Sequence, residues 1–123
     1  MEPKEYNQYE FAFQYLGKIE QDILREVIKQ VQPLNEDSCL YYLSKKKLYE
    51  LFKNETNKQA RLEQAFKNLI STTIVIETQI YTLQAGFLAS ARYADNADEI
   101  TVRFAPNLKP FYVMANMAGN TQK

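Results

Sequence analysis

The sequence contains no histidine, and it has only one cysteine, Cys39, in 123 residues. Without histidine the chain lacks the commonest general base, the base partner of Ser-His and Cys-His nucleophiles, and the commonest ligand of transition metals. A single cysteine forms no internal disulfide and cannot build a metal site by itself. These absences predict a protein that is not an enzyme and that uses no metal or other cofactor.

Long apolar runs are also missing from the sequence. No segment approaches the roughly 18 consecutive apolar residues of a membrane span. Residues 1–6 do not form a basic region that leads into an apolar stretch, as a secretory signal would. We therefore expect a single cytoplasmic domain that does not contact a membrane.

The net charge of the chain is zero, which argues against a strongly basic nucleic-acid binder, but the charges are unevenly distributed. Residues 1–37 hold eight acidic residues against four basic ones, whereas residues 38–92 hold eight basic residues against four acidic ones. The basic centre of the chain is therefore the part that we expect to face phosphates.

Apolar residues recur at helical spacing in two segments. The first is residues 18–32, ending before Pro33, and the second follows Thr56, which resembles a capping box with Gln59. The expected core residues are Ile19, Ile23, Leu24, Val27, Ile28 and Val31 in the first segment, and Leu62, Ala65, Phe66, Leu69 and Ile70 in the second. Between them, a β-prone run at 39–43 leads to Ser44, a predicted N-cap for a short helix over 45–52.

Strands are predicted beyond the second helix, at 72–81, 86–93 and 99–104, where β-branched and aromatic residues are frequent. The acidic turn at 95–98 joins the last two as a hairpin, and Pro106 introduces a closing helix. This order predicts an α+β fold, a winged helix-turn-helix with helices packed on a small antiparallel β-sheet and a β-hairpin wing.

The expected domain boundaries follow from these elements. We assign residues 1–17 to an N-terminal arm or helix, residues 18–117 to the winged-helix domain, and residues 118–123 to a disordered C-terminal tail.

The second predicted helix is polar and basic opposite its core residues, with no carboxylate near the middle of that face, as suits a recognition helix in a major groove. The candidate DNA-binding residues are Lys58, Arg61, Gln64, Lys67 and Asn68 on this helix, Lys45, Lys46 and Lys47 on the preceding one, and Arg92 near the wing. The three consecutive lysines lie at the unfavourable end of a helix dipole, where a phosphate would relieve the electrostatic cost. Ordinary solvated surface explains the same residue types equally well.

A longer pattern lies within residues 91–112. A strand ends in Tyr-Ala-Asp (93–95), an acidic turn follows, and an alternating strand closes in Phe-Ala-Pro (104–106) before Leu-Lys-Pro (108–110). This pattern resembles the end of the first winged-helix domain of theta-type, iteron-binding plasmid replication initiators. The resemblance extends upstream, since the segments 43–52 and 61–69 are similar to the two helices of that domain's DNA-binding motif.

The resemblance implies a function. In this family a second winged helix follows the first, and together they bind repeated origin sequences in double-stranded DNA. The first domain commonly mediates dimerisation, and dimers repress the initiator's own promoter while monomers start replication. The implied partners are therefore plasmid origin repeats, a second copy of the chain in a homodimer and, as candidates, host replication proteins.

Two other functions fit the same residues. One is a winged-helix transcriptional repressor unrelated to replication, and the other is a winged-helix protein-interaction module that does not bind DNA. Core packing accounts for most of the aromatic residues, but four of them are also candidates for an interface, because half-buried aromatic side chains often close a dimer surface. The candidates are Tyr41, Tyr42, Tyr81 and Tyr112.

Overall fold

The computed structural model of the protein describes residues 1–121. The helices in this part of the chain are α1 (Pro3–Gln14), α2 (Lys18–Ile28), α3 (Lys45–Glu50), α4 (Lys58–Ser71) and α5 (Lys109–Thr121). The strands are β1 (Tyr41–Ser44), β2 (Thr73–Glu77), β3 (Thr82–Gly86), β4 (Ser90–Arg92) and β5 (Glu99–Arg103), and a 3-10 turn (Pro106–Leu108) precedes α5.

The strands form two antiparallel sheets. The first, which we call the wing sheet, has the order β1-β5-β4, and its β4–β5 hairpin is the wing that the sequence predicts. Because α2, β1, α3, α4 and the wing follow one another in the predicted order, the predicted α+β winged helix-turn-helix is confirmed. The second sheet is a separate hairpin of β2 and β3.

Strand β2 and the turn after it occupy the segment 72–81 that the sequence predicts as one strand, and β3 follows that segment. The chain reverses at Thr78, whose hydroxyl accepts hydrogen bonds from the backbone N–H groups of Ile80 and Tyr81, at 3.1 and 2.9 Å. The turn contains no glycine or proline, the residues that usually mark turns in a sequence. The reversal therefore has no strong signal in the sequence.

Helices α2 and α4 pack against each other over the predicted apolar stripes. Ile23, Leu24 and Val27 of α2 and Leu62 and Leu69 of α4 are fully buried, whereas Ile70, also predicted in the core, is exposed. Helix α2 ends at Ile28 rather than at residue 32. It stops there because the N–H groups of Gln30 and Val31 bond three residues back, which tightens the last turn.

The N-terminal segment is helical and covers the hairpin. Tyr9 of α1 is buried and contacts the rings of Phe111 and Tyr112, with ring centroids 5.9 and 5.8 Å apart. The amide of Gln8 forms two hydrogen bonds with the backbone of Glu77, accepting from its N–H at 2.8 Å and donating to its carbonyl at 2.9 Å. Gln8 thereby occupies the free edge of β2 at its last residue.

Helix α5 closes the core. Tyr112 is fully buried, donates its hydroxyl proton to the carbonyl oxygen of Phe87, and meets Phe104 edge-on at 4.6 Å. Tyr41 is also buried, so two of the four tyrosines predicted at an interface are core residues instead. The helix continues to Thr121, which differs from the disordered tail expected from residue 118, and residues 122 and 123 lie outside the described part of the chain.

Candidate nucleic-acid interface

Helix α4 begins one position later than the sequence suggests. Asn57 caps it, since its side-chain oxygen accepts a hydrogen bond from the N–H of Ala60 at 3.0 Å, where Thr56 was the predicted cap. Gln59, the predicted partner of Thr56, instead donates to a carboxylate oxygen of Asp95 at 3.1 Å. This side chain therefore fastens α4 to the turn of the wing.

Part of the predicted DNA face of α4 is open to solvent. Gln64 and Lys67 are exposed, and so is the small residue Ala60 one turn before Gln64. Lys58, in the first turn of the helix, is half-buried. Glu63 is also exposed, on the flank that faces the wing. The pKa of the wing residue Tyr93 is raised by burial and, to a smaller extent, by the charge of Glu63. A carboxylate therefore borders this face, although none lies near its middle.

Arg61 and Asn68 are positioned differently from the prediction. Both turn toward α2 and donate hydrogen bonds to the carboxylate of Glu20, Arg61 at 2.8 and 3.2 Å and Asn68 at 3.2 Å. The pairing leaves Nη1 of Arg61 buried without a hydrogen-bond partner among the described residues. These two side chains fix α4 to α2, and they are not available to a base edge or a phosphate in this arrangement.

Glu20 is only 2% exposed, so its carboxylate depends on hydrogen-bond partners within the protein. Burial by itself would raise the pKa of Glu20. The hydrogen bonds from Arg61 and Asn68 act in the opposite direction, and the net pKa lies below the usual value of a glutamate. Gly17 leaves room for this carboxylate, because a Cβ atom there would lie 2.8 Å from its Oε1 atom. Sequence reasoning missed Glu20, although its place one turn before Ile23 and Leu24 on the core stripe was a signal.

The start of α3 is held by the wing turn. Asp98 accepts hydrogen bonds from the hydroxyl of Ser44 at 2.7 Å and from the N–H of Lys46 at 2.8 Å, and Ser44 caps the helix as predicted by accepting from Lys47 N–H at 3.2 Å. The hydrogen bond from Ser44, followed by that from Lys46, lowers the pKa of Asp98 below its usual range. The anion that the helix dipole favours at this end is therefore supplied by the chain itself, where the sequence suggested a phosphate.

The three consecutive lysines of α3 are not equivalent. Lys45 is half-buried and donates its ammonium proton to the carbonyl oxygen of Ala94 in the wing turn at 2.5 Å. Lys46 is exposed near the carboxylate of Asp98, and Lys47 is exposed without a side-chain partner among the described residues. Of the three, Lys47 has the ammonium group most available to a phosphate.

The wing contributes two cations on its solvent side. Arg92 of β4, predicted as a weak phosphate contact, is exposed, and so is Arg103 of β5, which the sequence analysis did not select. The alternation of buried Ile100 and Val102 with exposed Arg103 along β5 was the signal that marks this side chain as outward.

Other kinds of site are not evident in the described residues. No group of three or more cysteine, aspartate or glutamate side chains within residues 1–121 is arranged to hold a metal ion. None of the helices there is long and apolar enough to cross a membrane.

The arrangement of helices, wing and sheet defines a winged-helix domain. It is similar to the X-ray crystal structure of the WH1 domain of MSBI1.176, a replication protein isolated from a multiple sclerosis patient, with a TM-score of 0.68 and 15% sequence identity over 92% of each chain. At this identity the likeness concerns the fold. Residues 4–121 match the model of the initiator replication protein WH1 family, and the chain belongs to that family.

The family assignment confirms the resemblance to replication initiators found in the sequence and supports a role in replication initiation. The family is not known as a catalytic one. A search among curated proteins found no match.

Proposed function

We propose that this chain is the DNA-binding and dimerisation domain of a plasmid replication initiator. It acts in the cytoplasm, recognises origin repeats in double-stranded DNA and represses its own promoter. The proposal that the domain binds DNA rests on one observation, which is the distribution of basic side chains that form no ion pair with a carboxylate.

The basic residues on α2 are neutralised within the chain, whereas several of those on and around α3 and α4 are not, Arg61 and Lys45 being the exceptions. Lys18, Arg25 and Lys29 of α2 lie 2.6, 3.1 and 2.9 Å from carboxylate oxygens. The cations without an ion pair or side-chain hydrogen bond to the described residues include Lys47, Lys53, Lys58 and Lys67. Unpaired cations gain most from phosphates, because binding there breaks no ion pair and releases the counterions of the DNA.

The test is a salt titration of binding to a mixed-sequence duplex between roughly 50 and 200 mM salt. Lys47→Gln and Lys67→Gln should each reduce the slope of log K against log salt by about 0.9, the effect of one lost phosphate contact. Lys18→Gln is the matched control, because it removes the same charge from α2 and should leave the slope unchanged. Absence of binding at low salt would contradict DNA recognition by this domain alone.

Arg61 is unsuitable for this test even though the sequence selects it. Its removal would leave Glu20 buried without its cationic partner, and a loss of DNA affinity would then report a loss of structure. The exposed lysines avoid this ambiguity.

Footprinting separates the proposed function from a general transcriptional repressor. Protection of several repeats in the origin would support an initiator, and additional protection at the initiator's own promoter would support self-repression. Protection of a single palindrome at an unrelated promoter would favour the repressor. Binding of a protein partner with no duplex affinity at any salt concentration would favour the interaction module.

Dimerisation is supported by the exposed side of the β2–β3 hairpin. Val75, Ile80 and Tyr81 are 45%, 90% and 56% exposed, although all three are large and apolar or aromatic. Among the described strands, β3 pairs with β2 alone, so its outer backbone edge is open, whereas Gln8 occupies the edge of β2. Apolar side chains beside an open strand edge form a surface that a second copy of the chain would cover.

Sedimentation equilibrium over a range of protein concentrations tests this surface. The double variant Val75→Lys and Ile80→Lys should shift the dimer toward monomer, because both ammonium groups would be buried in the interface. Leu34→Lys is the control, since Leu34 is 96% exposed but belongs to the loop between α2 and β1 and not to the hairpin. A wild-type chain that stays monomeric at every concentration would contradict dimerisation.

A further inference from the structure

The wing sheet has one face in the core and one in solvent. Tyr42 of β1 and Arg92 of β4 both pair with Thr101 of β5, so these three side chains lie in one row across the sheet. Arg103 pairs with Ser90 and lies on the same side. We call Tyr42, Ser90, Arg92, Thr101 and Arg103 the outer wing face.

The two arginines of the outer wing face are diagonal neighbours on adjacent strands, a relationship that places their Cα atoms about 7–8 Å apart. Both are exposed, and neither has an ion pair or a side-chain hydrogen bond with the described residues. Two like charges at this spacing repel each other unless an anion lies between them. A guanidinium group binds phosphate oxygens through paired N–H donors, so this spacing suits phosphates.

Tyr42 adds a planar group beside these charges. Its side chain is 51% exposed, whereas the neighbouring Tyr41 is buried and stacks on Phe104. The backbone of Tyr42 is held by Gln30, whose amide donates to its carbonyl at 2.8 Å and accepts from its N–H at 3.3 Å. Tyr42 lies two strand spacings, about 10 Å, from Arg92.

We propose that the outer wing face binds a single strand of nucleic acid, with phosphates on Arg92 and Arg103 and a base stacked on Tyr42. A base in a duplex has both of its faces covered by its neighbours, so an aromatic ring on a flat sheet can stack only on an unpaired base. Ser90, opposite Arg103, and Thr101, opposite Arg92, lie on the same face of these two strands, and their hydroxyls can donate to sugar or phosphate oxygens. This site is separate from the duplex contact proposed for α4.

One carboxylate limits the site. Glu99 lies on the same side of the sheet, opposite Ser44 at the end near the wing turn, and forms no ion pair within 4 Å of the described residues. Its charge repels a phosphate there, so the strand is expected at the end of the sheet that holds Arg103.

Fluorescence anisotropy with a labelled oligothymidine of about 12 nucleotides tests the proposal. Tyr42→Ala should weaken binding about tenfold, equivalent to ~1.4 kcal/mol, and Tyr42→Phe should retain it, because the ring that stacks is kept. The double variant Arg92→Gln and Arg103→Gln should weaken binding and flatten its salt dependence, whereas Glu99→Gln should strengthen it. Lys4→Gln on α1, which removes an exposed charge elsewhere, should change little.

The outcomes separate this site from the duplex contact. Lys67→Gln, which should weaken duplex binding, should leave oligothymidine affinity unchanged. Failure of the wild-type chain to bind oligothymidine would overturn the proposal, whatever its duplex affinity. A loss in the arginine variants without one in Tyr42→Ala would also overturn it, since that result would indicate charge attraction without stacking.

Discussion

Arg61 on α4 donates two hydrogen bonds to the buried carboxylate of Glu20 on α2, at 2.8 and 3.2 Å. The pair fixes the rotation of α4 about its own axis, because Arg61 must point at α2 for the carboxylate to be satisfied. The side chains that α4 presents to solvent follow from that rotation. Together with the buried apolar stripe of α4, this charge pair therefore determines which side chains of α4 face solvent.

Removing the cation from this pair should be costly. Arg61→Ala leaves the carboxylate of Glu20 buried with Asn68 as its remaining side-chain donor, and we expect the free energy of unfolding to fall by about 3 kcal/mol. Urea denaturation measures this change. Lys29→Ala, which removes the solvent-exposed partner of Glu26, is the control and should cost less than about 1 kcal/mol. Equal losses in both variants would show that the Glu20 pair is no stronger than a surface one.

The same carboxylate should make stability depend on pH. The folded pKa of Glu20 is lowered, so its contribution to stability is complete above the unfolded pKa of about 4.3 and is lost as the pH falls through the folded value. Urea denaturation between roughly pH 6 and pH 3 should therefore give a shallower pH dependence for Glu20→Gln than for the wild type. Asp98→Asn should remove a separate part of the pH dependence of stability, because the pKa of Asp98 is also lowered. A Glu20→Gln variant that parallels the wild type throughout would exclude this role.

Asp98 should protect the start of α3 from local opening. Its carboxylate accepts from the N–H of Lys46, so Asp98→Ala should increase hydrogen exchange at that amide while leaving the exchange of α4 amides unchanged. Glu99→Gln changes the neighbouring carboxylate, whose side chain has no hydrogen bond to the described residues, and should not affect the Lys46 amide. Amide exchange followed by NMR distinguishes the two variants.

Replacing each of two glycines by alanine should change the stability of the protein in opposite directions. At Gly86 a Cβ atom would lie 2.5 Å from the backbone oxygen of Ile70, so Gly86→Ala must displace the chain where β3 passes the end of α4 and should be destabilising. Gly119 lies in α5 with nothing within 4 Å of a Cβ atom, and Gly119→Ala should raise stability by roughly 0.5–1 kcal/mol through helix propensity. Thermal denaturation of both variants tests the pair, and destabilisation by Gly119→Ala would contradict the assignment of open space there.

The sequence predicted the elements that have strong local signals. The stripe of Leu62, Ala65, Phe66 and Leu69 is buried as expected, and Ser44 caps α3 as expected. The β2–β3 hairpin was not predicted, because its turn depends on one threonine hydroxyl in a segment without glycine or proline.

The candidate site was harder to predict than the fold, because its side chains are placed by contacts between distant segments. Arg61 appears outward on a helical projection of α4, and its inward orientation depends on Glu20, 41 residues away in the chain. Asp98 reaches Lys46 across 52 residues. Helical periodicity describes one element at a time, so it cannot predict which polar side chain is taken up by another element.

The wing turn is fastened at three successive places, Ala94 to Lys45, Asp95 to Gln59, and Asp98 to Ser44 and Lys46. Because these hydrogen bonds hold the loop at three places, inserting a residue into it would break at least one of its contacts with α3 or α4. The wing and the first turns of α3 and α4 therefore meet any ligand as a single preformed shape. Little conformational entropy of this region remains to be lost on docking, which lowers one of the costs that oppose binding.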